Sequence, residues 1–305
     1  MSGMDTKDVL PGGTILDGRI VLWELREGWN LGPVYEATTR ISDDWLVVKV
    51  LDPEALGARV FGEPPTRDEI ASFHATFDAC LARIRAVSSP FVARVRDGGR
   101  AGGAVYAVMD HVSGILPLTL RLHTEPRPGP GLFAGLLDGL AAVHEAGLVH
   151  GSLWPDNVLG ASHGAVILDV AVRNAAEGLI RRMSRRIARV GWQRPGRFAA
   201  ARFLSPEQAR GEEPTPASDV WTAGVLLAET LSGQTILPPE EGPFNLMRVA
   251  TGKVGVPPAL RSGPFAGILG RALASRPVDR FPHGRAFATA FGRIDPAFWT
   301  VALNP

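Results

Sequence analysis

The hydrophobic period of this chain changes once, near Val112, and that change constrains the fold more than any other feature. Before it, apolar residues come in short β-type runs: Ile20–Leu25, Val34–Thr38, Trp45–Leu51, Phe91–Val95 and Ala104–Asp110. Short apolar runs bounded by turn residues read as strands. Only Arg67–Ala86 in this part carries apolar residues at helical spacing, at Ile70, Phe73, Phe77, Leu81 and Ile84. After Gly114 helical patterns dominate; Leu132–Ala146, Ser218–Ser232, Pro264–Ala274 and Gly284–Gly292 are the clearest. A β-rich part followed by an α-rich part predicts an α+β chain in two lobes. The expected organisation is a flexible N-terminus over 1–14, a β-rich lobe with one helix over 15–112, a mostly helical lobe over 113–295 and a tail over 296–305. Arg173 to Arg202 reads as irregular, at a length that usually marks a functional or mobile segment.

Composition narrows the function classes. At 305 residues, 45% hydrophobic and 21% charged, the chain is of ordinary globular make-up. Its formal charge of +1 provides no global attraction to nucleic acid or anionic membrane. The apolar runs fall short of the roughly 18 residues of a membrane helix. The opening MSGMDTKDVLPGG lacks the apolar core of a signal peptide, so a cytoplasmic location is expected. Cys80 is the one cysteine, which excludes an intrachain disulfide and a cysteine metal cluster. The basic residues are nearly all arginine, and Lys7, Lys49 and Lys253 are the only lysines. A lysine inside the apolar run WLVVKVL therefore stands out: a charge there needs a partner, or must snorkel from an edge strand.

Several segments follow one another in a telling order: LREGWNLGPVYEA, VVKVL, VMDHVSG, HGSLWPDNVL, ILDVA, FLSPEQARGE, SDVWTAGVLLAETLSG and RPVDRFP. From about Gly13 to Phe291 this order resembles the bacterial eukaryotic-like (Hanks-type) serine/threonine protein kinases, as a degenerate member. The resemblance implies a two-lobed kinase fold and a site for ATP and Mg²⁺. Gly28, Gly32 and Val34 match the phosphate-covering loop and the strand after it, and Lys49 matches the lysine on the α/β-phosphates. Met109 matches the gatekeeper, with Asp110, His111 and Val112 as hinge, and Asn157 and Asp169 fall on the two metal-ligand positions. Outside that resemblance, Asn157 reads as a loop-capping amide and Asp169 as a strand-end turn former.

The departures from the family pattern point away from catalysis. His150-Gly151-Ser152 stands where the family has His-Arg-Asp, so Ser152 replaces the carboxylate that orients the acceptor hydroxyl and takes its proton. Trp154 replaces the loop lysine on the transferred phosphate, and Ala200 the threonine that bonds both. No residue is assigned a catalytic role. Arg26 stands at the first loop glycine, Cys80 at the helix glutamate that pairs with the strand lysine, and Val170-Ala171 at the Phe-Gly of the metal-binding segment. Glu207, Arg280, Asp219 and His150 match the scaffold of the helical lobe. A pseudokinase acting as a signalling regulator, with weak ATP binding, is the expected function. The alternatives are an active or weakly active serine/threonine kinase, another nucleotide transferase, or a nucleotide sensor without turnover.

Arg173, Arg181, Arg182, Arg185, Arg186, Arg189, Arg194, Arg197 and Arg202 face a single acid, Glu177, between Asp169 and Glu207. Leu179, Ile180, Met183, Ile187 and Val190 fall at helical spacing there, consistent with a basic amphipathic helix. This stretch is either a solvated loop or a docking surface for an acidic or phosphorylated protein, an active kinase included. Trp192 and Phe198 are too few aromatics for a nucleic-acid surface.

Overall fold

The structure, a computed structural model, describes residues 10–26, 31–42, 44–112, 116–118, 128–161, 163–187, 202–237 and 242–299. Gly28, Gly114, Arg189, Val190, Trp192, Arg194, Arg197, Phe198 and Ala200 lie outside them, as do 1–9 and 300–305. The chain forms two compact units, one comprising Met1–Ser88, Ala93–Ser113 and Asp169–Gly191, the other the remainder.

The first unit is built on an antiparallel sheet of β1 (Ile15–Leu16), β2 (Ile20–Arg26), β3 (Val34–Thr39), β4 (Leu46–Leu51), β5 (Val95–Ala101) and β6 (Ala104–Asp110), in the order β1-β2-β3-β4-β6-β5. Alternation along the strands sends Leu22, Tyr35, Ala37, Val48, Tyr106 and Val108 into one apolar cluster. Leu10–Thr14, expected to be flexible, are instead tied to this sheet. The Leu10 N–H donates to Tyr35 Oη at 2.7 Å and the Gly13 N–H to Leu22 O at 2.7 Å.

Three helices belong to this unit, where the sequence pattern indicated one. α1 (Pro53–Phe61) starts at Asp52, whose carboxylate accepts from the Glu54 and Ala55 N–H groups, and stops at Gly62 in the left-handed region. α2 (Arg67–Ile84) opens on a capping box between Thr66 and Glu69. The third helix runs from Val170 to Ile187, overlapping the stretch from Arg173 read as irregular and including Leu179, Ile180, Met183 and Ile187, whose helical spacing the sequence showed. It packs against α1 and α2, and it buries Val172, Ala175, Ala176, Leu179, Ile180 and Met183. Gly57 of α1 permits this approach: a Cβ there would lie 3.1 Å from Met183 Cε and 2.7 Å from Pro65 Cδ.

The second unit is mostly helical. α3 (Pro130–Glu145) packs on a small antiparallel sheet of β7 (Leu116–Pro117), β8 (Val158–Ala161) and β9 (Gly164–Ile167). The helix Val170–Ile187 follows in sequence as α4. Then come α5 (Pro206–Ala209), the buried α6 (Pro216–Ser232), α7 (Gly242–Ala250), α8 (Ala266–Ala272) and α9 (Gly284–Phe291). Phe91–Val95, expected as a strand, makes only a bridge from Val92 to Ile167; the ladder begins at Val95, where β6 supplies the partner. Among the described residues no helix is long and apolar enough to cross a membrane.

Candidate functional site

In the first unit, β-register brings the expected nucleotide residues onto one face of the sheet. Val34 pairs with Lys49 and Lys49 with Ala107, while Val47 pairs with Met109. Directly opposite residues share a face, so Val34, Val47, Lys49, Ala107 and Met109 lie together, opposite the Tyr35–Val48–Val108 cluster. Gly32 lies just before this row, and the local backbone forbids any side chain there. A Cβ would sit 2.2 Å from Val50 O, and the Val50 N–H bonds Pro33 O at 3.1 Å. At the end of β6, Asp110 is ion-paired with Arg96, its N–H donates to Arg94 O at 3.1 Å, and the His111 N–H donates to Trp45 O at 3.3 Å. Val112 is half-buried beyond them.

Lys49 is 1% exposed, and its ammonium donates to the Asp169 carboxylate. Burial pushes the Lys49 amine below its ordinary range; Asp169 opposes that shift and the nearby Arg173 guanidinium adds to it. Asp169 holds a left-handed backbone at φ 64°, a conformation Asp tolerates better than most residues. Its carbonyl accepts the Arg173 N–H at 2.9 Å, the first turn of α4. The lysine thus finds its carboxylate on the segment leading into α4, not on α2. Cys80 on α2 is buried, and burial pushes its thiol up. Asp78 faces solvent and pairs with Arg100, as its position two residues away requires. Arg173 was not singled out as a member of this cluster. Its position four residues after Asp169, on the apolar period of α4, is the signal that would have found it.

In the second unit the catalytic-loop segment is held by its scaffold. Asp219 on α6 accepts the N–H groups of His150 and Gly151, both at 2.8 Å. His144 also reaches Asp219 through Nε2 at 3.0 Å. Its Nδ1 accepts the Gly284 N–H, so the proton sits on Nε2. His150 is oriented by the same logic, accepting from the Ser152 N–H at Nδ1 and donating from Nε2 to Leu168 O at 3.0 Å. Gly151, left-handed at φ 71°, is held by Gln208 Nε2 donating to its carbonyl at 2.6 Å. Asn157 is 2% exposed and its Nδ2 donates to Ser152 O at 2.6 Å, which fits the loop-capping role. Ser152 itself is buried, and no carboxylate stands at its position.

The Glu207–Arg280 pair lies beneath α6. Arg280 Nη1 donates to Glu207 Oε1 at 2.7 Å and Nη2 to Oε2 at 2.9 Å, and Ser218 Oγ donates to Oε1 at 2.6 Å. The remaining guanidinium hydrogens go to the carbonyls of Ala274, Ala217 and Ser275. Burial alone would raise the Glu207 carboxyl, but Arg280 and Ser218 outweigh it and hold the group below the usual carboxylate range.

The arginine-rich stretch is helical as far as Ile187, in line with its helical spacing, but its arginines do not all face solvent. Arg173 is buried and Arg181 partly so, because both lie on or beside the face that α4 packs against its neighbours. Arg182 and Arg185 are exposed. Arg186 is committed to Glu69 at 2.9 Å and Glu63 at 3.4 Å, and Arg202 pairs with Glu229 at 3.0 Å.

A magnesium-bound triphosphate would have to part Lys49 from Asp169. The ammonium that would face phosphate and the carboxylate that would hold the ion are buried and engaged with each other. Among the described residues, no cluster of three or more His, Cys, Asp or Glu side chains could hold a metal ion.

Comparison with known proteins agrees with the order of motifs. A family model described as a protein kinase domain matches residues 30–255. Over 227 residues the chain is 29% identical to the serine/threonine-protein kinase PknB of Mycobacterium tuberculosis, a match covering 69% of this chain and 34% of the relative. Over 288 residues it is 28% identical to serine/threonine-protein kinase PknL of the same organism, covering 90% of this chain and 65% of that one. The chain thus spans about a third of PknB and just under two thirds of PknL. Among solved structures, the M. tuberculosis PknI kinase domain is similar at a TM-score of 0.66 and 20% identity, with 95% of this chain and all of that one covered. The likeness shows the fold: α+β, with a β-sheet N-lobe and a helical C-lobe.

Proposed function

The chain belongs to the protein kinase domain family, and from that premise we propose that it has kept the fold and given up phosphotransfer, acting as a protein-binding regulator. The observation that carries this reading is the contrast within the catalytic loop. Asp219, His144, His150 and Gln208 still hold its backbone, yet Ser152 occupies the base position. A serine hydroxyl carries no charge near neutral pH and is a poor proton acceptor, so the acceptor hydroxyl is neither oriented nor deprotonated. Trp154 in place of the phosphate-contacting lysine removes the second function of the same loop.

The nucleotide site is weakened in a different way. ATP must separate Lys49 from Asp169 before the lysine can meet phosphate and before Asp169 can meet Mg²⁺. Opening a buried pair subtracts from nucleotide affinity, so binding is modest and depends little on Mg²⁺. The exposed Arg182 and Arg185 on α4, with Arg181 beside them, form the surface for an acidic or phosphorylated protein, an active kinase among the candidates. Titrating ATP with and without Mg²⁺ against the melting temperature tests the nucleotide part. A small shift that Mg²⁺ barely changes is expected; a tight, strictly Mg²⁺-dependent complex contradicts the proposal.

A further inference from the structure

The Lys49–Asp169 pair is held shut from a distance. Asp169 leads straight into α4 with no glycine hinge between them, and its carbonyl takes the first-turn N–H of Arg173 at 2.9 Å. Without such a hinge the helix carries its flanking residue with it. Whatever fixes α4 therefore also fixes the carboxylate that occupies Lys49.

Two sets of contacts fix α4, both inside the first unit. Its apolar residues Val172, Ala175, Ala176, Leu179 and Met183 are buried where it packs on α1 and α2, and Met183 lies against Gly57. At the far end, about 25 Å from Asp169 at 1.5 Å per residue, Arg186 Nε donates to Glu69 Oε1 at 2.9 Å and Nη1 to Glu63 Oε1 at 3.4 Å. Glu69 is buried, and its other oxygen accepts the Thr66 N–H at 2.8 Å, so the capping box of α2 anchors it. Burial would raise this carboxyl, but Arg186 and Thr66 outweigh it and hold the group below its usual range. The Arg186 side chain is 37% exposed. The ion pair is thus anchored on its acidic side and open to competition on its basic side.

We propose that α4 is an autoinhibitory strap: docked on α1 and α2 and locked by Arg186 on Glu63 and Glu69, it keeps Asp169 on Lys49 and closes the lysine amine. The signal that loosens it is a carboxylate- or phosphate-bearing protein group that takes Arg186 from its two glutamates. Nucleotide phosphate reaches Lys49 only in the open state, so apparent affinity scales with the open fraction. This last step rests on the reading of Lys49 as the phosphate-facing lysine; the strap itself does not.

The test labels the full chain with acetic anhydride and follows its three lysines, Lys7, Lys49 and Lys253, by mass spectrometry. Exposed Lys253 is the internal standard. Arg186→Met is expected to speed Lys49 labelling about twofold to fivefold, the range of an ion pair of this exposure, with Lys253 unchanged. Arg100→Met breaks the exposed Arg100–Asp78 pair outside α4 and is expected to leave Lys49 as in wild type. Met183→Ala removes packing under the strap and is expected to speed Lys49 labelling more than Arg186→Met does. Leu22→Ala, in the apolar cluster on the opposite face of the sheet, is expected to speed it less than Met183→Ala. ATP affinity, measured by calorimetry, is expected to rise in Arg186→Met by the same factor as Lys49 labelling. Equal Lys49 labelling in wild type and Arg186→Met, or equal acceleration by Arg100→Met, overturns the strap. Faster labelling with unchanged ATP affinity supports the strap and overturns instead the reading of Lys49 as facing nucleotide.

Discussion

Replacing Glu207 with alanine strands Arg280 in the interior. The Arg280 and Glu207 side chains are 0% and 2% exposed and are joined by two parallel hydrogen bonds. Breaking one partner out of a buried pair costs about 3–5 kcal/mol. At about 2–4 °C per kcal/mol for a domain of this order of size, the melting temperature should fall by about 6–20 °C. Asp279 provides the internal comparison. It lies one residue before Arg280 and bonds Arg276 at 2.7 Å, but this pair is 75% and 45% exposed, so Asp279→Ala should change stability very little. Urea denaturation of wild type and both variants, read by tryptophan fluorescence, measures the difference, since Trp221 lies under the Arg280 guanidinium. The same pair sets an acid limit. Glu207 has a folded-state pKa below its ordinary 4.5, so its contribution is fully present above that value and is lost as pH falls through the folded one. Glu207→Gln should therefore flatten the acid limb of the stability curve. An equal loss in Glu207→Ala and Asp279→Ala would refute the assignment of this pair as the anchor of the helical unit.

Three further outcomes follow from the first unit. Reversing Arg182 to glutamate should leave the melting temperature unchanged and weaken salt-sensitive capture of the acidic partner. Reversing Arg186 should lower stability measurably, since it places a third carboxylate beside Glu63 and Glu69. Gly32→Ala should cost about 1–3 kcal/mol in chemical denaturation even without nucleotide, because its methyl group would meet the Val50 carbonyl. A neutral result would mean that the glycine serves phosphate and not the sheet.

The scaffold was more legible in the sequence than α4 and the partner of Lys49. Glu207, Arg280, Asp219 and His150 were placed by motif, and they meet as placed because buried ion pairs and backbone-holding carboxylates have few workable geometries. α1 carried readable signals at both ends, Asp52-Pro53 and Gly62, but too short an apolar face to stand out. β5, with sequence VRDGGRA, has no alternation of its own; β6 makes it a strand. α4 was half legible. Leu179, Ile180 and Met183 showed the period, and Val172, Ala175 and Ala176 continue it back to Asp169, but resemblance to a loop-bearing family and the density of arginines masked it. The Lys49–Asp169 pair could not be read at all, because it joins residues 120 positions apart and depends on how α4 packs.

The central claim is that this kinase fold does not transfer phosphate. Incubating the purified chain with γ-labelled ATP and Mg²⁺, alone and with a generic basic protein acceptor, measures that directly against Lys49→Met under the same conditions. Incorporation by wild type no higher than by Lys49→Met is the predicted result. Incorporation well above Lys49→Met, and lost in Asp169→Asn, would contradict it and make the chain an active serine/threonine kinase despite Ser152.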